Sequence, residues 1–276
     1  MYNQASPLLC QLGNSTHEQM MGYVLRTPEG KIIVIDGGTE GDTDNLLACM
    51  RRVSGQEVPH IDAWFLTHAH RDHINAFMEI MRNRRETVTV ERIYYNFPSI
   101  QFVERNEPQS TVTIRDFYAL LPLFADRACI VTAGDSYQVG DAKFDVLFTM
   151  DPTLTDNCVN DSTSVFRLTV GGKTVLFLGD LGWDGGKKLL SMHGDALKSD
   201  YCQMAHHGQR GVEEDVYQAI APTVCLWCAP DWLYDNNAGK GYNTHIWKTV
   251  TVRSWMEKLG VTQHVVEKDG NQFIEL

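Results

Sequence analysis

No stretch of this 276-residue chain approaches the roughly 20 consecutive apolar residues that cross a bilayer as a helix, so no membrane association is expected. Positive charge is scarce as well. Against 35 Asp and Glu there are only 24 Lys and Arg, a net charge of −11, which argues against an extended nucleic-acid surface built from many phosphate contacts. A short phosphorylated substrate stays open, because bound cations can supply positive charge locally. Cysteine follows no framework: Cys10, Cys49, Cys129, Cys158, Cys202, Cys225 and Cys228 make an odd seven without regular spacing, which fits a reducing compartment. Cys225 and Cys228 lie in the apolar run 223–229, which reads as a buried strand, so their side chains are expected on opposite faces rather than on one metal. Residues 1–12 carry neither the basic start nor the apolar run of a secretory leader, and Leu8-Leu9-Cys10 only faintly matches a lipoprotein cleavage site. A soluble, cytoplasmic protein is expected. With no Pro/Ser-rich linker, charge run or short repeat, a single domain over 1–276 is the simplest organisation, and the oligomeric state is open.

What the chain does contain is short apolar runs punctuated by glycine, alternating with segments of helical spacing. The runs predict strands over 22–26, 31–35, 63–67, 92–96, 143–148, 165–170, 174–178 and 223–227. Helices are predicted over 42–53, 73–84, 111–124, 212–220 and 246–259, and Gly171-Gly172 reads as a two-residue hairpin turn. This is an α/β pattern. Its layout suggests two packed sheets with helices outside, although periodicity alone leaves a single doubly wound sheet open.

The densest chemical signal is Thr67-His68-Ala69-His70-Arg71-Asp72-His73, between a predicted strand and a predicted helix. His68 and His70 are two apart and project from one face at a strand end, while Asp72 and His73 fall where the chain turns into the helix. Three imidazoles and a carboxylate around one small volume are the ligand set of zinc and similar divalent ions. A second signal is Gly179-Asp180, at the end of the run 174–178: glycine lets the backbone approach closely, and one carboxylate can bridge two cations. A third is His206-His207-Gly208, where one histidine is expected as a ligand and the other to reach a substrate oxygen. Asp36, before Gly37-Gly38, can accept a hydrogen bond from a ligand histidine and fix its tautomer. A turn-forming Asp is the alternative.

Through Asp36-Gly-Gly, His68-x-His70-x-Asp72-His73, Gly179-Asp180 and His206, in that order, the chain resembles the metallo-β-lactamase superfamily from about Gly22 onward. Within it, Asn160-Asp-Ser162, Leu178-Gly-Asp180, Ala205-His206-His207-Gly208 and Gly241-Tyr-Asn-Thr-His245 are most similar to the hydrolase domain of bacterial DNA-uptake (competence) channel proteins. The resemblance implies a four-layer αββα sandwich with the site at one edge, and a hydrolase, often of phosphodiesters. Two departures stand out. No histidine occurs between His73 and His193, where many relatives have a further ligand; Asn160 and Ser162 occupy that segment, so one metal site is ligand-poor or completed by water. The polar segment 12–17 is also longer than the usual first turn, which puts a shared substrate in doubt.

The expected mechanism has two divalent ions, zinc first, with manganese or iron as alternatives. His68 and His70 hold one, Asp72, His73 and His206 the other, and Asp180 bridges. Water between them loses a proton near neutral pH and attacks the substrate. Asp72 orients that water, while His207 and His245 stabilise developing charge or protonate the leaving group, His245 standing before the predicted helix 246–259. The partner is expected to be a small-molecule or short phosphorylated substrate. Three alternatives remain: an acyl electrophile such as a lactone, thioester or β-lactam, di-iron redox chemistry, and a non-catalytic metal-binding module.

Overall fold

The computed structural model describes residues 6–276. Eight strands of the first half are β1 (Leu8–Gln11), β2 (Gly22–Arg26), β3 (Ile32–Asp36), β4 (His60–Ile61), β5 (Ala63–Phe65), β6 (Thr89–Val90), β7 (Ile93–Tyr95) and β8 (Ala128–Ile130). The second half supplies β9 (Ser136–Val139), β10 (Ala142–Phe148), β11 (Val165–Val170), β12 (Lys173–Phe177), β13 (Tyr201–Gln203), β14 (Val224–Trp227), β15 (Gln263–Val266) and β16 (Gln272–Glu275). They form two seven-stranded sheets, ordered β16-β1-β2-β3-β5-β7-β8 and β15-β14-β13-β12-β11-β10-β9, with β4 and β6 paired apart.

The run of β-branched residues in β3 shows why two sheets form. Ile33 and Ile35 enter the core between the sheets, whereas Ile32 and Val34 enter a second core on the other face of the same sheet. A strand buried on both faces must be covered on both, and here one cover is the other sheet. Phe65 of β5 stacks on Phe144 of β10 at 4.1 Å between ring centroids, across the interface. Truncating such a residue to Ala typically costs about 3–5 kcal/mol.

The outer cover of the first sheet is α1 (Thr43–Ser54), α2 (Arg71–Asn83), α3 (Ile100–Asn106) and α4 (Thr111–Leu120), whose Leu46, Met50, Phe77, Met81, Val103 and Phe117 pack on Trp64 and Val34. The second sheet is covered by α5 (Trp183–His193), α6 (Glu214–Ile220), α7 (Asp231–Tyr234) and α8 (Thr249–Lys258). The result is the four-layer αββα sandwich. Cys225 packs in the outer core and Cys228 in the inter-sheet core, so the C-x-x-C pair does point to opposite faces.

All eight predicted strands and all five predicted helices have counterparts, with ends displaced by a few residues. The helix predicted over 246–259 starts only at Thr249. The strands β1, β4, β6, β8, β9, β13, β15 and β16 and the helices α3, α5 and α7 were not anticipated. β16 crosses to the first sheet and pairs with β1, Leu8 opposite Glu275. Among the described residues no helix is long and apolar enough to cross a membrane.

Both sheets contain a parallel stretch, β3-β5-β7-β8 in one and β12-β13-β14-β15 in the other. Asp36 ends β3, His68 follows β5, Asp180 follows β12, and the His206-His207 pair follows β13. The carboxyl ends of parallel strands are where α/β sheets gather ligands.

Candidate metal centre

The chain leaves these strands through strained turns. Asp36, His206 and His207 have φ of 51°, 50° and 57°, a left-handed conformation that non-glycine residues adopt at a cost. Gly179 shares it at 50°, and a Cβ there would lie 2.7 Å from Thr163 Cγ2 and 3.1 Å from Thr67 Cβ. Only glycine lets Asp180 follow β12 so closely packed against Thr67.

Two groups of potential ligand atoms converge here: Asp72, His73, Asp180 and His207 in one, His68, His70 and Asp180 in the other. His207 Nε2 lies 3.3 Å from Asp72 Oδ2, 3.4 Å from Asp180 Oδ2 and 3.4 Å from His73 Nε2. His73 Nε2 is 3.1 Å from Asp180 Oδ1, and His68 Nε2 is 3.2 Å from His70 Nδ1 and 3.8 Å from Asp180 Oδ2. Asp180 stands between the groups.

The outer nitrogens of the imidazoles are all committed. His73 Nδ1 donates to Asp36 Oδ2 at 2.7 Å, and His207 Nδ1 donates to the Cys228 carbonyl at 2.7 Å. His206 Nδ1 donates to the Arg210 carbonyl at 3.0 Å. Thr67 Oγ1 gives its proton to Asp36 Oδ2 at 2.6 Å, so its contact with His68 Nδ1 at 3.2 Å makes that nitrogen the donor. The inward nitrogens are therefore those left to bind a cation or a second proton. Asp36 sits as expected for a residue that orients ligands, its other oxygen accepting the Thr67 N–H at 2.8 Å.

Burial and the neighbouring His73 hold His68 well below the usual histidine range. Burial also pulls His73 and His207 down, but facing carboxylates outweigh it. Asp180 and Asp36 push His73 up to about 10, and Asp180 with Asp72 raises His207 well above its ordinary value. Burial would raise Asp72 and Asp180, yet the surrounding imidazoles drive both carboxyls far down. Asp180 Oδ1 is buried without a hydrogen-bond donor. Buried carboxylates fenced by imidazole nitrogens fit divalent cations, which would replace the protons and satisfy that oxygen.

The two adjacent histidines are placed differently. His207, expected to touch substrate, is fully buried within the four-residue group; His206, expected as the ligand, lies outside that group, 3.8 Å from Asp180 Oδ2 with its side chain 21% exposed at the cavity. The two left-handed residues turn the second imidazole inward. His245 is exposed, packs against Trp247 at 3.9 Å between ring centroids, stands four residues before α8 rather than at its start, and is not among the residues that line the cavity. Asn160 bonds Asn157 and Ser162 bonds the Val159 carbonyl; both are buried and neither lines the cavity.

The cavity above the centre has a volume of about 570 Å³. Its wall includes His17, Glu18, Gln19, Arg71, Gln109, Ser110, Thr113 and Trp232. Three contributors escaped the sequence reading. Gln19 donates to Asp72 Oδ2 at 3.0 Å and accepts from Gln209 at 3.1 Å. Glu107 and Ser110 stand behind His70, whose Nε2 is 3.6 Å from Glu107 Oε1 and 3.3 Å from Ser110 Oγ. They belong to segments without a motif, and only the turn-forming Pro108 marked the place.

A profile of the metallo-beta-lactamase superfamily matches residues 21–211, more than half of the chain. ComE operon protein 3 of Bacillus subtilis (strain 168) is 23% identical over 176 residues, 63% of this chain but only 20% of that relative. CmlA, a diiron β-hydroxylase from Streptomyces venezuelae, superposes with a TM-score of 0.57 at 13% identity, covering 100% of this chain and 55% of CmlA. Zn(2+)-bound PqqB from Methylobacterium extorquens gives 0.55 at 10% identity, covering 98% and 100%. With the fold, the order of the motifs and the family profile in agreement, the chain belongs to the metallo-β-lactamase superfamily.

Proposed function

We propose that this protein is a metal-dependent hydrolase of a phosphodiester or related phosphate ester. In this reading His68, His70 and Asp180 hold one divalent cation, and Asp72, His73, His207 and Asp180 the other. The convergence of inward-facing imidazole nitrogens on two buried carboxylates carries it. Zinc suits this mixture of imidazole and carboxylate, with manganese or iron as alternatives. Bound there, divalent cations acidify water and neutralise charge on the electrophile.

The cavity wall suits a polar substrate. It is rich in hydrogen-bonding groups, Trp232 is its large apolar surface, and among the described residues no Leu, Ile, Val or Met lines it. Such a wall suits a small-molecule or short phosphorylated substrate better than an apolar acyl chain. His206, whose Nδ1 donates to Arg210 and whose Nε2 is thereby left as an acceptor at the cavity, takes a proton from a substrate hydroxyl or the attacking water, and Asp72, steadied by Gln19, orients that water.

The test is hydrolysis of a chromogenic phosphodiester by protein reconstituted with zinc or manganese, beside chromogenic esters and a lactone. Phosphodiester turnover absent from Asp180→Asn supports the reading. Turnover of the acyl substrates alone would replace the electrophile, and stoichiometric metal with no turnover of either would make the chain a binding module.

A further inference from the structure

The His68 and His70 side of the centre has one ligand fewer than the other, and a second buried carboxylate, Glu107, stands behind His70 with Oε1 3.6 Å from its Nε2. This carboxylate is not free to swing inward as the missing ligand. Its Oε2 accepts the Val159 N–H at 3.1 Å and its Oε1 accepts the Ser110 hydroxyl. The turn that holds it is closed by Ser110 N to the Glu107 carbonyl at 3.0 Å and by Thr111 Oγ1 to the Pro108 carbonyl at 2.7 Å.

The direction of the Ser110 hydroxyl decides the state of His70. Its single proton goes to Glu107, so toward His70 Nε2, at 3.3 Å, it presents only lone pairs. His70 must therefore donate from Nε2, which leaves Nδ1 unprotonated in the neutral ring, 3.2 Å from His68 Nε2. The same construction stands behind His68, where Thr67 Oγ1 donates to Asp36 and faces His68 Nδ1. Two hydroxyl–carboxylate pairs from unrelated parts of the chain thus set the two imidazoles of one site.

We infer that Glu107 and Ser110 are positioning residues for His70: they fix its tautomer and aim Nδ1 at the cation site, so that this site binds its ion without a third imidazole. The inference rests on the metal reading above. Gln109, Ser110 and Thr113 also line the cavity, so the turn that orients His70 forms part of the substrate wall.

The experiment is stepwise zinc titration against a chromophoric chelator, with ¹⁵N spectra of the His70 ring, on the wild type and on Glu107→Ala, Glu107→Gln and Ser110→Ala. In the wild type His70 is protonated at Nε2. In Glu107→Ala that preference is lost and one of two zinc affinities falls about 10–100-fold while the other holds. Glu107→Gln offers one acceptor oxygen to two donors, Val159 N–H and the Ser110 hydroxyl, so it weakens the tautomer preference and loses less affinity than Glu107→Ala; should Glu107→Ala fail to fold, this variant and Ser110→Ala carry the test. Two unchanged zinc affinities with an unchanged His70 spectrum in the folded variants would overturn the inference alone. A wild type that binds no zinc would overturn the metal reading, a result separate from any effect of Glu107.

Discussion

The two sides of the centre are built differently. On the Asp72, His73 and His207 side both imidazoles are fully buried, one held by a carboxylate and the other by a main-chain carbonyl. On the other side His70 is part-exposed, with its side chain 23% accessible, and its outer nitrogen leans on a turn from between two helices. The closed side is set by elements that also form the core of the sandwich. The open side depends on a peripheral segment that borders the cavity, where a substrate must enter.

Asp180 joins the two sides, so its replacement should erase the difference between them. Asp180→Asn is expected to lower the affinity for both ions and reduce turnover by about 10³-fold or more, because a bridging charge is lost to both cations; metal content and rate measured together check this. The adjacent histidines should separate cleanly. His207→Ala is expected to lose one ion, whereas His206→Gln retains two and slows turnover by about 10²-fold, the scale of a lost acid–base group. Equal metal loss in both variants would return His206 to the ligand set.

A smaller change should follow Asp36→Asn, which keeps the hydrogen-bonding shape but removes the charge behind His73: metal affinity falls about 10–100-fold, read by chelator competition. The mildest probe is pH. Facing carboxylates push His73 up to about 10 and raise His207, so on the closed side a cation must displace protons. Affinity on that side therefore rises with pH, by about tenfold per unit for each proton displaced, and weakens in acid. Between pH 6 and 8 the His68 side should change less, because burial and His73 already keep His68 low. Equal slopes for the two ions would remove the distinction.

Much of this was legible in residue order. The histidine-rich run from His68 to His73 is compact enough to name its own chemistry, and Asp180 and Asp36 end apolar runs that could only be buried strands. Which of His206 and His207 turns inward was not legible, because adjacent side chains differ only through backbone torsions, and here both residues are left-handed. His245 was placed by likeness and by a predicted helix start, and that start fell at Thr249 instead. Glu107 carried no signal at all; an isolated Glu before Pro108 becomes informative only once Val159 and Ser110 have bound both its oxygens.

The sequence by itself determined the α/β class and the kinds of atoms at the centre, since burial periodicity and ligand chemistry are properties of residue type and spacing; periodicity left one sheet or two open. Tertiary structure alone decided which imidazole faces inward, which proton each ring keeps, and how β16 returns to pair with β1. Those depend on hydrogen-bond partners brought together from distant parts of the chain, and short-range patterns do not encode distances of that kind.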